Sequence, residues 1–188
     1  MLNHIRPALT LLLAMTALTG LAYPLAITGI ARAMFPAEAN GSLVERNGAT
    51  IGSSLIGQNF STDRYFWPRP SATGPDAYNA SASSGSNLGT TSIKLRDRVA
   101  ADVEKLKTSG MGAPVPADAV MTSGSGLDPE ISVDYAGAQI TRIATVRDLP
   151  RQAVADLVSQ HVKKRDLGFI GEPRVNVLEI NLALDQLQ

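Results

Sequence analysis

The side chains best able to bind or orient something are concentrated in one stretch of this sequence. Residues 74–92 read GPDAYNASASSGSNLGTTS, in which Asp76 is the single charged residue among serines, alanines, glycines, threonines and asparagines. Such a segment could do three things. The amides and hydroxyls of Ser84-Gly85-Ser86, leading towards a helix N-terminus near Ser92, could cradle a phosphate, because unpaired N–H groups and the helix dipole both favour an anion there. The run lacks the Gly-Lys-Ser/Thr that completes a P-loop. It could instead be an ordered Ω-type loop whose polar groups bond its own backbone or a partner. Composition also permits a flexible linker, although a linker joins two domains and this stretch lies inside one. A positive φ at Gly85 would bar β-branched residues from that position.

Little else in the chain offers chemistry. There are no cysteines, which excludes disulfides, thiolate nucleophiles and cysteine-ligated metals, and only two histidines, His4 and His161. His161 falls near the apolar face of an expected helix and reads as a structural residue. Neither a Gly-x-Ser-x-Gly elbow nor a His-Glu-x-x-His pair occurs, and Gly124-Ser125-Gly126 reads as a turn. Seventeen basic residues balance seventeen acidic ones without a basic block, so the electrostatic footprint of a nucleic-acid binder is missing. No catalytic or metal-ligating set is assigned.

The elements that would position the polar stretch begin with a membrane segment. Residues 7–31, PALTLLLAMTALTGLAYPLAITGIA, carry no charge and are flanked by Arg6 and Arg32. At ~1.5 Å per residue they form a helix of roughly 37 Å, enough to cross a ~30 Å hydrocarbon core with some tilt. A signal peptide has a shorter apolar region, so an uncleaved anchor is expected. Residues 1–6 are then a cytoplasmic leader, and residues 32–188 an extracytoplasmic domain. Within the anchor, Pro24 cannot donate to the carbonyl of Gly20, and Thr16 with Gly20 is spaced as small-xxx-small, which lets a second helix approach closely.

Beyond the anchor, Asn47-Gly48 between two apolar segments predicts a β-hairpin with a type I′ turn. An aromatic, proline-rich stretch containing Trp67, the one tryptophan, predicts an ordered loop whose rings anchor the core. Ser92 or Thr91 can cap a helix carrying Leu95, Val99, Val103 and Leu106 and ending at Ser109-Gly110. A short helix is expected from Pro116 to Met121. Asp128-Pro129-Glu130 reads as a helix start ahead of the face Ala136, Ile140, Ile143 and Ala144, and Asp148-Leu149-Pro150 as another ahead of Val154, Leu157 and Val158. The ending RVNVLEINLALDQL alternates like a bulged strand that could pair with the hairpin. The expected fold is a single N-terminal transmembrane helix plus an α+β domain in which several helices cover a small antiparallel sheet.

Several blocks together resemble a known family. RPALTLLL with the later YPL, NGSL, LIGQNF, YFWPRPSAT, YNASASSGSNL, SGLDPEIS and VNVLEINLALDQL are, in this order, similar to the C subunit of the Kdp potassium-transporting ATPase. The resemblance implies an accessory, non-catalytic subunit in the bacterial inner membrane, with the bulk of the chain periplasmic. Its implied partners are a channel-like potassium-binding subunit, a P-type ATPase subunit and a small stabilising subunit, and ATP and potassium are handled through that complex. The family's C subunit is described as a catalytic chaperone that raises the ATP affinity of the ATPase subunit, using a glutamine and a Ser-Gly-Gly-Ser-Asn run. Ser83, Ser84, Gly85, Ser86 and Asn87 occupy that run, with Ser84 in place of its first glycine and Ser81 where the glutamine is expected. The alternative from another class is an independent membrane-anchored periplasmic binding protein that takes a small polar ligand in the serine-rich loop.

Overall fold

A computed structural model describes residues 4–187; residues 1–3 of the expected leader and Gln188 lie outside the described residues. The chain divides into two compact units, one ending at Ile51 and the other starting at Gly52.

The first unit is dominated by α1 (Ile5–Ala17) and α2 (Tyr23–Met34), joined by a π-helical turn over Leu18–Ala22. The cause of that turn is Pro24. Its ring removes the N–H that would have bonded Gly20, and the backbone widens so that Tyr23 N–H reaches the Leu18 carbonyl five residues back. The continuous helix Ile5–Met34 is long and apolar enough to cross a membrane. A one-turn helix α3 (Pro36–Ala39) leads to β1 (Leu43–Arg46) and β2 (Ala49–Ser53). Asn47 and Gly48 have φ of 54° and 77°, the consecutive left-handed pair that a type I′ hairpin needs.

The second unit is built on a three-stranded antiparallel sheet of order β3-β5-β4, from β3 (Glu130–Ser132), β4 (Val162–Lys163) and β5 (Arg174–Asn176). Ile131 and Val162 both oppose Val175, which is fully buried. Helices α5 (Val133–Arg147), α6 (Arg151–Gln160) and α7 (Val177–Leu184) supply Tyr135, Ile143, Val154, Ile180 and Leu184 to one core. The helix expected after residue 91 is α4 (Ile93–Thr108), capped by Ser92, whose hydroxyl accepts from Leu95 N–H. The short helix expected from Pro116 is a single 3₁₀ turn over Ala117–Ala119.

Four expectations are corrected. The C-terminal segment is a strand only as far as Asn176. That side chain accepts from Glu179 N–H and starts a helix, and the buried Val177, Leu178, Ile180, Asn181 and Leu184 follow helical spacing. An all-round buried helix and an alternating strand look alike over so few residues. The hairpin does not join this segment but forms its own two-stranded sheet. Finally, Asp128-Pro129-Glu130 leads into a strand, and α5 is capped by Ser132, which accepts from Tyr135 N–H. Similarly, Asp148 closes α5 in a left-handed conformation with φ 55°, and Pro150 stands before α6 without a side-chain cap.

Two buried amides hold the irregular aromatic segment. Asn181 accepts from Phe66 N–H at 2.8 Å and donates to Phe66 C=O at 3.0 Å. Gln139 repeats the arrangement one residue on, with Trp67 N–H at 2.7 Å and Trp67 C=O at 3.2 Å. Each amide stands in for a missing strand partner, so Phe66 can be buried without leaving its backbone unpaired. The Arg142 guanidinium lies 3.8 Å from the Trp67 ring centre and donates to the carbonyls of Asp63 and Tyr65.

Candidate functional site

The polar stretch is an ordered surface, held from beneath at several points. Ser71 Oγ donates to Gly126 C=O and accepts from Tyr78 N–H. The largely buried Thr73 hydroxyl donates to Asp76 C=O at 2.8 Å and accepts from Asn79 N–H at 3.0 Å. Tyr78 reaches across to donate its hydroxyl to Arg69 C=O at 2.6 Å. Asn79 then closes a local turn, its Oδ1 accepting from both the N–H and the hydroxyl of Ser81.

The run 83–87 is clamped at one end and open at the other. Ser84 N–H and Ser83 Oγ both donate to Ser125 C=O, at 2.9 and 3.0 Å. The two backbones approach so closely that a Cβ on Gly85 would sit 2.9 Å from Gly124 O, and one on Gly126 would sit 2.5 Å from Ser84 O. Gly85 is therefore required by contact and not by a positive φ. The left-handed residue of the run is Asn87, with φ 51°. Asn87 is exposed and Ser86 half-buried, and among the described residues neither side chain has a hydrogen-bond partner.

Beside the loop lies a cleft of ≈ 390 Å³ whose lining includes Gly85, Ser86, Lys94, Arg98 and Asp102. Arg98 donates Nη1 to Asp102 at 2.9 Å and to Val120 C=O at 3.0 Å, while its buried Nε and Nη2 have no partner. Lys94 and Arg98 are absent from the candidates that motifs supply, although their four-residue spacing on the first turns of α4, after the Ser92 cap, is the signal that could have found them. The Gly124-Ser125-Gly126 turn is more than a lead-in to Asp128: it is the support on which the loop rests. Asp128 itself pairs with Arg69 at 2.8 Å.

Burial shapes the titration of the groups below the loop. It pushes the Tyr78 hydroxyl well up from 10.0, with the Asp128 charge adding to the rise, and pushes Tyr135 up as well, against the lowering charge of Arg142. Burial pulls Arg142 down to about 10. His161 is placed structurally, its Nδ1 2.9 Å from the Leu157 carbonyl at the end of α6.

Thr16, Gly20 and Pro24 lie on the apolar helix, where Gly20 leaves open space, its nearest neighbour being the Thr16 methyl at 4.0 Å from a virtual Cβ.

An apolar helix of spanning length followed by a small α+β domain defines a single-span membrane protein with a folded domain. The chain belongs to the KdpC family, the c chain of K+-transporting ATPases, whose profile it matches over residues 5–186. It is 58% identical to the potassium-transporting ATPase KdpC subunit of Methylobacterium nodulans, covering all of this chain and 98% of that one. Against the subunit of the same name from Bradyrhizobium diazoefficiens it is 56% identical over 99% of this chain and 98% of the relative, and against that of Methylococcus capsulatus 52% over both whole lengths.

Proposed function

We propose that this chain is an accessory, non-catalytic subunit of an ATP-driven, high-affinity potassium import complex in a bacterial inner membrane. Residues 1–6 lie in the cytoplasm, residues 7–31 cross the bilayer, and residues 32–188 form the extracytoplasmic domain. Its partners are the channel-like potassium-binding subunit, the P-type ATPase subunit and the small stabilising subunit, and ATP and potassium are bound through them. Thr16, Gly20 and Pro24 form the face on which a partner helix packs, where small residues allow close approach.

One observation carries the role assigned to the serine-rich loop. Ser83, Ser84 and Gly85 are fastened to the 124–126 turn, whereas Ser86 and Asn87 present unpaired polar groups outwards. A loop clamped at its base with free groups at its rim is preorganised to dock, because the ordering cost is met before the partner arrives. Such docking alters transport only through contacts that differ between the partner's states.

A second reading is favoured by the cleft. Lys94, the partly unpaired Arg98 and the amides near Ser86 would suit an anionic group, in keeping with a role for this run in raising the ATP affinity of the ATPase subunit. With the domain outside, however, the loop faces away from cellular ATP.

Co-purification in mild detergent with the larger membrane subunits tests these readings. Asn87→Ala is expected to lower recovery of the complex or its potassium-stimulated ATP hydrolysis severalfold, and Gly20→Leu to lower recovery while leaving insertion intact. A chain that elutes alone as a stable monomer would point to an independent binding protein. Saturable ATP binding to the purified chain, lost on mutating Ser86 or Asn87, would overturn the docking role in favour of direct nucleotide contact.

A further inference from the structure

The connection between β4 and β5 folds into a hairpin in which Asp166 and Ile170 bridge each other. At its tip Leu167 is 83% exposed, Phe169 73% and Ile170 50%. The other large apolar side chains exposed on this unit, such as Leu55, Ile93 and Val146, stand singly along the chain. Scattered exposure is ordinary, whereas three such residues within four positions mark a contact. The backbone reinforces the point: Leu167 has φ 53° and Gly168 φ 84°, so a leucine occupies a left-handed turn position usually given to asparagine or glycine. No burial of that leucine within this unit offsets the conformation.

Charge decides what the tip suits. The two acids flanking it are both in ion pairs, Glu172 with Arg165 at 2.6 Å and Asp166 with Arg174 at 3.5 Å, Arg174 lying closer still to Glu130 on β3, at 2.7 Å. Lys163 is paired with Glu179 at 3.1 Å. Lys164 is exposed and has no acidic partner among the described residues, and the hairpin segment 163–174 itself carries Lys163, Lys164, Arg165 and Arg174 against Asp166 and Glu172, so its own charge is positive. A convex tip of three side chains cannot present the ~800 Å² per partner that a stable protein interface or a second copy would need. A lipid interface demands no matching shape, and it accepts apolar side chains flanked by cations. The same polypeptide carries a helix of spanning length, which holds a bilayer at high effective concentration for any weak second contact.

We propose that the tip Leu167–Ile170 inserts into the interfacial layer of an anionic lipid bilayer, as a second membrane contact besides the N-terminal helix. It rests on the anchored topology proposed above. Because the chain has no cysteine, single thiols can be placed and labelled with an environment-sensitive fluorophore. The full chain carrying Phe169→Cys is reconstituted in vesicles of phosphatidylcholine with about one fifth phosphatidylglycerol, with and without bromine on the acyl chains. The label should shift to the blue and be quenched at least about twofold more by brominated lipid than a label at Leu55→Cys, with Ile170→Cys behaving as Phe169→Cys does. Quenching no greater than at Leu55→Cys would overturn the proposal, as would a blue shift that appears only when the partner subunits are added and is insensitive to bromine. Leu12→Cys reports the anchor: if it is quenched and the tip is not, the insertion alone fails, and if neither is quenched the anchored topology fails with it.

Discussion

Tyr78 and Tyr135 are two of the chain's four tyrosines, and both have their hydroxyls buried against backbone carbonyls, those of Arg69 and Pro68. Burial raises both from 10.0. Above that pH the unfolded chain loses these protons while the folded chain keeps them, so stability falls as pH rises. Arg142, lowered from 12.5 to about 10, works in the opposite sense over the same range, because the folded state then binds fewer protons than the unfolded one. Two tyrosines outweigh one arginine. In a detergent-solubilised sample, stability read from Trp67 fluorescence should hold steady up to about pH 10 and fall beyond it, with part of the phenolate absorbance appearing only as the fold is lost. Unchanged stability at about pH 11.5 would show that these hydroxyls are not held as described. At the same scale, the serine-rich run shows what a sequence conceals. A positive φ is not what Gly85 needs: its requirement comes from Gly124 O on a distant part of the chain, and the left-handed residue is Asn87.

At the level of elements, α7 carries the clearest energetic consequence. Asn181 lies among Val177, Leu178, Ile180 and Leu184 in an otherwise apolar helix, and its amide closes both backbone groups of Phe66. Asn181→Leu would leave a buried N–H and C=O unpaired at ~1–3 kcal/mol each, so a loss of about 2–6 kcal/mol is expected in denaturant unfolding followed by Trp67 fluorescence. Glu172→Gln, at an exposed ion pair on the hairpin, should change stability by less than about 1 kcal/mol and serves as the comparison. An effect as small for Asn181→Leu would mean that water or a shifted backbone satisfies Phe66. The π turn at Leu18–Ala22 belongs to this scale too, since a single proline sets it and the pairing of Gly20 with Pro24 marks its position in the sequence.

For the molecule as a whole, the expected topology is one crossing with the folded unit outside. A reporter fused after Gln188 should be active only if it functions beyond the cytoplasmic membrane. Activity of a cytoplasm-only reporter there would reverse the orientation, and with it the argument that the loop is separated from cellular ATP. Membership of the KdpC family fixes the setting as a potassium-transporting ATPase. The proposed orientation is a separate matter, which the reporter tests by itself.

Local rules are enough for the apolar helix, the Asn47-Gly48 hairpin and the Ser92-capped α4, because each depends on interactions among near neighbours in the chain. The family resemblance is legible for the same kind of reason, as its blocks are contiguous. The C-terminal segment misleads those rules because Val175 to Leu184 is buried on nearly every side, and complete burial erases the difference between a period of two and one of 3.6. The candidate site needs tertiary structure most of all. The loop's rigidity comes from Ser125 and Gly126, its cleft from Lys94 and Arg98, and the burial of Phe66 from amides on α5 and α7. Few of these partners are near in sequence, and a hydrogen bond between distant residues leaves no periodicity for a local rule to detect.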